Sequence, residues 1–322
     1  MSRFILRRIV FLIPVLALIS VLSFALLVSM PGDPLDLLVL GDPSITPADI
    51  ERLKDLYGLN DPFPVRYAKW MGQVLQGNLG YSRAYRIPVT NLVGSRILNT
   101  LILAGLALTI SLVVSIPLGI YSALRPYSLG DYVATIFAFV GYAVPAFWLG
   151  LVMIIVFAVR LHWFPAGGIV RADVQPGFAN SLSDRISHLV MPVFVLALGS
   201  MATWARYMRS SLLEVVRQDY IQTARAKGLS EHVILYRHAL KNALIPMVTL
   251  LANTLPALIG GSILVETVFS YPGVGKLLYD SVLGNDFSVS MAILMLLAFL
   301  VVFLNLLADI TYGFLDPRIR YQ

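Results

Sequence analysis

Residues 98–124 read LNTLILAGLALTISLVVSIPLGIYSAL, 27 consecutive positions without an Asp, Glu, Lys or Arg. About 20 apolar residues in a helix, rising roughly 1.5 Å each, cross the ~30 Å hydrocarbon layer of a bilayer. In lipid the backbone must satisfy its own hydrogen bonds, so an uncharged run of this length reads as a spanning helix. Five further intervals share the property: 9–30, 132–159, 186–205, 242–265 and 287–308, of 22, 28, 20, 24 and 22 residues. One such run could be a buried helix of a soluble core; six in one chain predict an all-α integral membrane protein with six transmembrane helices. The composition agrees. The 322 residues are 58% hydrophobic and only 13% charged, about half the charge a soluble surface carries.

Basic residues near helix ends set the orientation. With the N-terminus in the cytoplasm, thirteen of the 24 Lys and Arg residues fall inside and four in the two short outer loops. The other seven lie in the long segment 31–97, which exceeds the length over which the rule has force. Both termini are therefore expected in the cytoplasm, and the basic balance needs no nucleic acid to explain it. Arg7 and Arg8 precede the first apolar run, but that run is long and lacks a small-residue cleavage site. An uncleaved first helix is expected rather than an export signal. Cysteine is absent, which excludes disulfides and thiolate chemistry.

Four regions follow: an anchor helix over 1–30, a partly helical extracytoplasmic segment over 31–97, a five-helix core over 98–312, and a tail over 313–322. In the second, Thr46-Pro47-Ala48-Asp49 resembles a helix start and Gly58 a stop. A further helix is expected over 64–76, with Tyr67, Trp70, Met71 and Val74 on one face. Pro117, Pro145, Pro192, Pro246 and Pro256 lie in or beside the spans and can kink them.

The inner segment 206–241 is the most polar stretch. Leu212, Val215 and Val216 keep helical spacing past the membrane, and a short helix is expected over 220–227. Gly228 breaks it, and Ser230 can cap a second helix running toward Leu244. Ala224 and Gly228, four apart, would leave one face almost bare, open to another protein's groove, with Arg225 and Lys227 as flanking charge. The competing reading is a basic loop that only sets topology or touches anionic lipid.

The stretch from Asp219 through Leu229, DYIQTARAKGL, resembles the "EAA" coupling motif of binding-protein-dependent ABC importer permeases. Thr-Ala-Arg-Ala-Lys-Gly with His238, Asn242-Ala243 and Pro246 is similar to the dipeptide, oligopeptide and nickel branch. Gln222 and Thr223 stand where the general motif has Glu-Ala. Further agreement lies in Arg7-Arg8 with Ile13-Pro14, Pro31-Gly32-Asp33-Pro34, GNLGYS at 77–82, ETVFSYPGVG at 266–275, and Asp309 with Asp316-Pro317-Arg318. The resemblance covers essentially the whole chain and is to the B-type transmembrane subunit of that branch.

The resemblance implies a type I importer permease fold in a prokaryotic plasma membrane, with an extracytoplasmic insertion after the first helix. It also implies a second permease subunit, two cytosolic ATPases carrying ATP and Mg, and an extracytoplasmic binding protein that delivers peptides or a related solute. Asp219, Tyr220, Thr223, Ala224, Arg225, Ala226, Lys227, Gly228 and Leu229 would contact an ATPase. Tyr271, Pro272 and Gly273 would face the binding protein.

Catalytic and metal sites are not expected. Gly273-Val274-Gly275-Lys276 lacks the upstream Gly and downstream Ser or Thr of a phosphate loop. His162, His188, His232 and His238 share no ligand spacing. Mid-span ionisable groups, usual in ion-coupled carriers, are missing from the six intervals. Asn99, Asn242, Asn253 and Thr254 are candidates for a pathway lining, Asn253 and Thr254 ahead of the other two, although interhelical hydrogen bonding would explain each equally. The rival classes are an autonomous channel or carrier and a membrane-embedded enzyme.

Overall fold

The computed structural model describes residues 2–29, 46–56, 58–171 and 178–315, and these contain helices but no strands. The motifs at 31–34 and 316–318 lie outside the described residues. Contacts group the chain into two compact units, one of residues 2–99 and 273–302, the other of residues 100–272 with 303 onward.

In the first unit, α1 (Ser2–Val28) carries the apolar stretch Val10–Val28. Next comes α2 (Pro47–Leu56), opened as expected at Thr46. The Thr46 hydroxyl and backbone N–H both donate to Asp49 Oδ2, at 2.6 and 3.0 Å. The hydroxyl bond is the main cause that holds the Asp49 carboxyl below its ordinary range. Then α3 (Phe63–Leu75) presents Phe63, Tyr67 and Trp70 to α1, where all three rings lie within 5.7 Å of the Phe24 ring centroid. Ser20 Oγ and Tyr67 Oη meet at 2.7 Å. The aromatic face of α3 is therefore covered by the chain itself. Gly77 stops the helix region with φ +79°, a left-handed conformation that glycine enters without a Cβ clash. Residues 273–302 add α12 (Val274–Leu283) and the start of α13 (Phe287–Leu315).

In the second unit, the long α7 (Phe178–Val216) is central, packing against α5 (Leu129–Ala143) and α11 (Ile245–Val268). Small residues bring the helices close. A Cβ at Gly119 on α4 (Val89–Leu124) would sit 2.6 Å from Met208 Cβ, and one at Gly141 would sit 3.0 Å from Leu198 Cγ. Ser111 Oγ on α4 donates to the Ala197 carbonyl at 3.1 Å. Core side chains such as Leu103, Met191, Phe269 and Tyr271 fill the centre.

Of the six expected spans, four appear as helices long and apolar enough to cross a membrane: Val10–Val28, Val89–Leu124, Leu182–Val216 and Phe287–Leu307. The interval 132–159 is not one straight helix. It is α5 followed by α6 (Ala146–Met153) and a π-helical turn (Ile154–Arg160), bent by 103° at Val144-Pro145. Val144 is extended at φ −84°, ψ 124°, because the following proline ring disfavours the helical region there. The interval 242–265 corresponds to α11, of which Thr254–Val268 is the described apolar part, shorter than a full span.

Candidate coupling surface

The polar segment after α7 folds into two short helical pieces joined by a turn. α8 (Asp219–Ala226) ends at Lys227, and Gly228 turns the chain with φ +77°. Residues 231–243 follow, as α9 (Glu231–Val233), a π-helical stretch (Ile234–Ala239) and α10 (Leu240–Ala243). Ser230 occupies the extended cap position at φ −66°, ψ 147°, but its side chain makes no capping hydrogen bond, contrary to expectation.

The knob is anchored by a small core. Ile221 and Ala224 point inward against Leu212 and Met208 of α7, together with Ile234, Ala239 and Ala243. Ser211 Oγ donates to the Ala243 carbonyl at 2.8 Å, and Asn242 Nδ2 to Tyr220 Oη at 2.8 Å. Arg225 bridges the turn, donating from Nε and Nη2 to the two oxygens of Glu231 at 2.8 and 3.2 Å. That pair holds the Glu231 carboxyl below its ordinary range and raises Arg225, hydrogen bonding being the main cause for each.

One expectation fails here. Ala224 and Gly228 do not share a bare outer face: Ala224 is 7% exposed and belongs to the anchoring core. Gly228 alone lies outward, where an added Cβ would meet open space. The outer face of α8 and its turn is formed by Asp219, Tyr220, Gln222, Thr223, Arg225, Ala226, Lys227, Gly228 and Leu229, all exposed. Thr223 spends its hydroxyl on the Asp219 carbonyl at 2.9 Å.

The other candidate residues are not brought together. The Asn253 side chain lies outside the described residues, and Thr254 donates to Leu250 of its own helix at 2.8 Å. Tyr271 and Gly273 are buried and Pro272 half-buried, so this stretch presents little side chain to a partner. The cause is local packing. The Tyr271 N–H donates to the Glu266 carbonyl at 2.8 Å, and burial pushes its phenol up to about 12. Gly167 is pressed on the same corner, where a Cβ would lie 2.3 Å from the Phe269 carbonyl oxygen.

The sequence reading missed Glu266 as a buried ionisable group. It is fully buried in α11, and Thr100 Oγ1 donates to it at 2.7 Å. Its signal was present, since it ends the uncharged interval at Val265. The pair of the buried Asp131 with the half-exposed Arg209, joined at 2.9 and 3.1 Å between α5 and α7, was also missed. Charges next to the ends of uncharged intervals are where such pairs arise.

The described residues form helices and no strands, with several apolar spans and a compact polar knob rooted on α7, the build of a multi-pass membrane protein. Comparison with known proteins gives the family. The chain belongs to the family described as "Binding-protein-dependent transport system inner membrane component", which matches residues 115–321, and the family's N-terminal region matches residues 1–113. It is 46% identical over 322 residues to the oligopeptide transport system permease protein AppB of Bacillus subtilis (strain 168), covering 100% of both chains. The fold resembles that of the structure titled "Inward facing conformations of the MetNI methionine ABC transporter". That match has a TM-score of 0.54 and 21% identity, over 70% of this chain and 96% of that one. An amino acid ABC transporter crystallised with histidines matches with a TM-score of 0.54 and 18% identity, over 69% and 93%. The chain is thus an inner-membrane permease subunit of an ABC importer, a family in which the ATPase is a separate subunit.

Proposed function

We propose that this permease forms half of a pathway for di- or oligopeptides delivered by an extracytoplasmic binding protein, and that residues 219–229 dock on an ATPase subunit in the cytoplasm. A second permease and two ATPases holding ATP and Mg complete the complex. Both termini face the cytoplasm, and the segment 31–97 lies outside. The full-length 46% identity to AppB, an oligopeptide transport system permease protein, supports the substrate class.

The observation that carries the coupling role is the division of α8 into two faces. Ile221 and Ala224 lock it to α7, while Asp219, Gln222, Arg225 and the Gly228 turn face outward. A helix tied this firmly can pass a displacement to the long helix below it, which a loose loop could not. Moving a two-state equilibrium from 1:99 to 99:1 takes about 5.5 kcal/mol of differential binding, so a rigid joint is required.

The first test is purification of the chain from native membranes in mild detergent, with identification of every co-purifying chain. Recovery with two Walker-motif ATPases and a second permease, and peptide uptake that requires ATP, is expected. Recovery alone, with uptake indifferent to ATP, would return the protein to the class of autonomous carriers.

A further inference from the structure

The knob is rooted on one face of α7, where Met208 and Leu212 are buried in its core. Arg209 follows Met208 in sequence and so stands about 100° further round the same helix, at the same level. It donates from Nε and Nη2 to the two carboxylate oxygens of Asp131, at 3.1 and 2.9 Å. Asp131 lies in the first turn of α5 and is itself held in place. Its Oδ2 also accepts the Tyr127 N–H at 3.0 Å, and its own N–H donates to Ser128 Oγ, the cap of α5, at 3.2 Å. The anchor of the knob and the tie to α5 are therefore neighbouring residues of one helix.

Packing does little to fix how α5 and α7 sit along one another at this end. Beside the ion pair the two helices line a cleft of about 340 Å³ with Ala134 and Ala138 on one side and Ala202 and Ala205 on the other. About 15 Å further along, Gly141 meets Leu198, where an added Cβ would lie 3.0 Å from Leu198 Cγ. Small side chains let two backbones come close, but they interlock weakly, so they oppose sliding little. A two-pronged Arg–carboxylate pair is different, because its two parallel bonds form in one geometry only. Such a pair adds little net stability, since taking the buried Asp131 carboxylate out of water offsets the attraction. Its best-attested use is to fix register.

We infer that the Asp131–Arg209 pair fixes the register of α5 on α7 and makes α5 follow α7 when an ATPase moves the knob. Arg209 is then a positioning residue for transport, acting through α5 rather than on the solute. What moves α5 also moves the 103° bend that ends it. The inference rests on the docking role proposed for residues 219–229.

The test uses the reconstituted complex and reads peptide transported per ATP hydrolysed. Arg209→Gln should lower that ratio about fivefold or more, while still capturing the ATPase in a pull-down. Arg209→Lys, which keeps the charge and loses the fork, should fall between parent and Arg209→Gln. Arg171→Gln breaks an ion pair to Asp184 that does not join α7 to α5, and it should keep the parent ratio. A second measurement leaves the pair intact and stands even if Arg209→Gln fails to fold. The chain has no cysteine, so spin labels can be attached through cysteines introduced at the exposed Leu129 and Ser210. Their distance should be the same with and without ATP and vanadate, because α5 and α7 move together. Parent-like coupling in Arg209→Gln, or a label distance that changes with nucleotide, would overturn the inference and leave the docking role standing. An equal loss in Arg171→Gln would also overturn it, reducing the pair to a general brace. A parent chain that captures no ATPase would overturn the docking role, and the inference with it.

Discussion

Thr100 Oγ1 donates to Glu266 Oε1 at 2.7 Å, with both residues buried, and so ties α4 to the C-terminal end of α11. Thr100→Val keeps the shape of the side chain and removes the donor. A buried carboxyl that loses one partner costs about 1–3 kcal/mol. The variant should melt several degrees lower in detergent, and Thr100→Ser, which retains the hydroxyl, should recover most of the loss. Equal melting of the parent and Thr100→Val would show that this bond contributes nothing.

Gly228 turns the knob with φ +77° in open space. An L side chain in that region costs about 1–2 kcal/mol, and Asn tolerates it best. Gly228→Leu should therefore shift the turn and lower both transport and substrate-stimulated ATPase activity, whereas Gly228→Asn should keep most of each. If Gly228→Leu leaves transport and stimulated hydrolysis intact, the turn has no part in docking.

Much of this fold was legible because lipid imposes a rule that few soluble proteins obey. Uncharged runs of 20 or more residues marked Val10–Val28 and Phe287–Leu307 directly. Thr46 with Asp49, and Gly228, revealed local boundaries because capping and a positive φ depend only on neighbouring residues. What stayed hidden depends on which residues meet across the fold. The 103° bend at Val144-Pro145 looked like any other proline site, since Pro192 lies inside a helix that continues through it. The inward turn of Ala224 is set by α7, because spacing alone cannot say which face of a short helix is covered. Glu266 and Thr100 lie 166 residues apart, and no local pattern links them.

Ala224 and Ala226 offer a contrast within one helix, the first buried and the second exposed. Ala224→Leu overpacks the core against Leu212 and should cost about 1–3 kcal/mol of stability. Ala226→Leu should leave the melting temperature unchanged and weaken capture of the ATPase in a pull-down. If Ala226→Leu captures the ATPase as well as the parent does, the outer face of α8 is not the docking surface.

Arg225 and Glu231 make the turn sensitive to acid. The folded Glu231 carboxyl titrates below its ordinary value of 4.5, chiefly through the Arg225 hydrogen bonds. A depressed carboxylate stabilises the fold above its unfolded pKa, and that contribution is lost as pH falls through the folded value. A distance measured between spin labels at Gln222 and Val233 should be narrow and constant at neutral pH and broaden below 4.5. Glu231→Gln should show the broad distribution at every pH. A Gln variant as narrow as the parent would mean that the ion pair does not hold the turn.

Asp286 clasps a loop 204 residues away in sequence. Its Oδ2 accepts from the Ser82 hydroxyl at 2.6 Å and from the backbone N–H groups of Arg83 and Ala84 at 3.1 and 3.3 Å. The carboxylate is 1% exposed, so water cannot readily replace it. Asp286→Ala would leave these three donors, and the Val289 N–H that donates to Oδ1 at 3.4 Å, without their acceptor; of the loop donors the Ser82 hydroxyl is buried, and a buried donor left unmade costs about 1–3 kcal/mol. The loop should then open locally before the rest of the unit does, because its backbone–backbone hydrogen bonds are short-range, among them the Ser82 N–H to the Ile87 carbonyl and the Arg86 N–H to the Ser82 carbonyl, both at 3.0 Å, and the Val89 N–H to the Gly80 carbonyl at 3.1 Å. Trypsin cleavage after Arg83 or Arg86 reports that opening directly, and it should quicken severalfold in Asp286→Ala and less in Asp286→Asn, which retains one acceptor oxygen. If the segment faces the binding protein, the same variant should lose binding-protein stimulation of the ATPase while basal hydrolysis is unchanged. Cleavage at the parent rate would mean that Asp286 does not hold the loop, and the loss of stimulation would then need another cause.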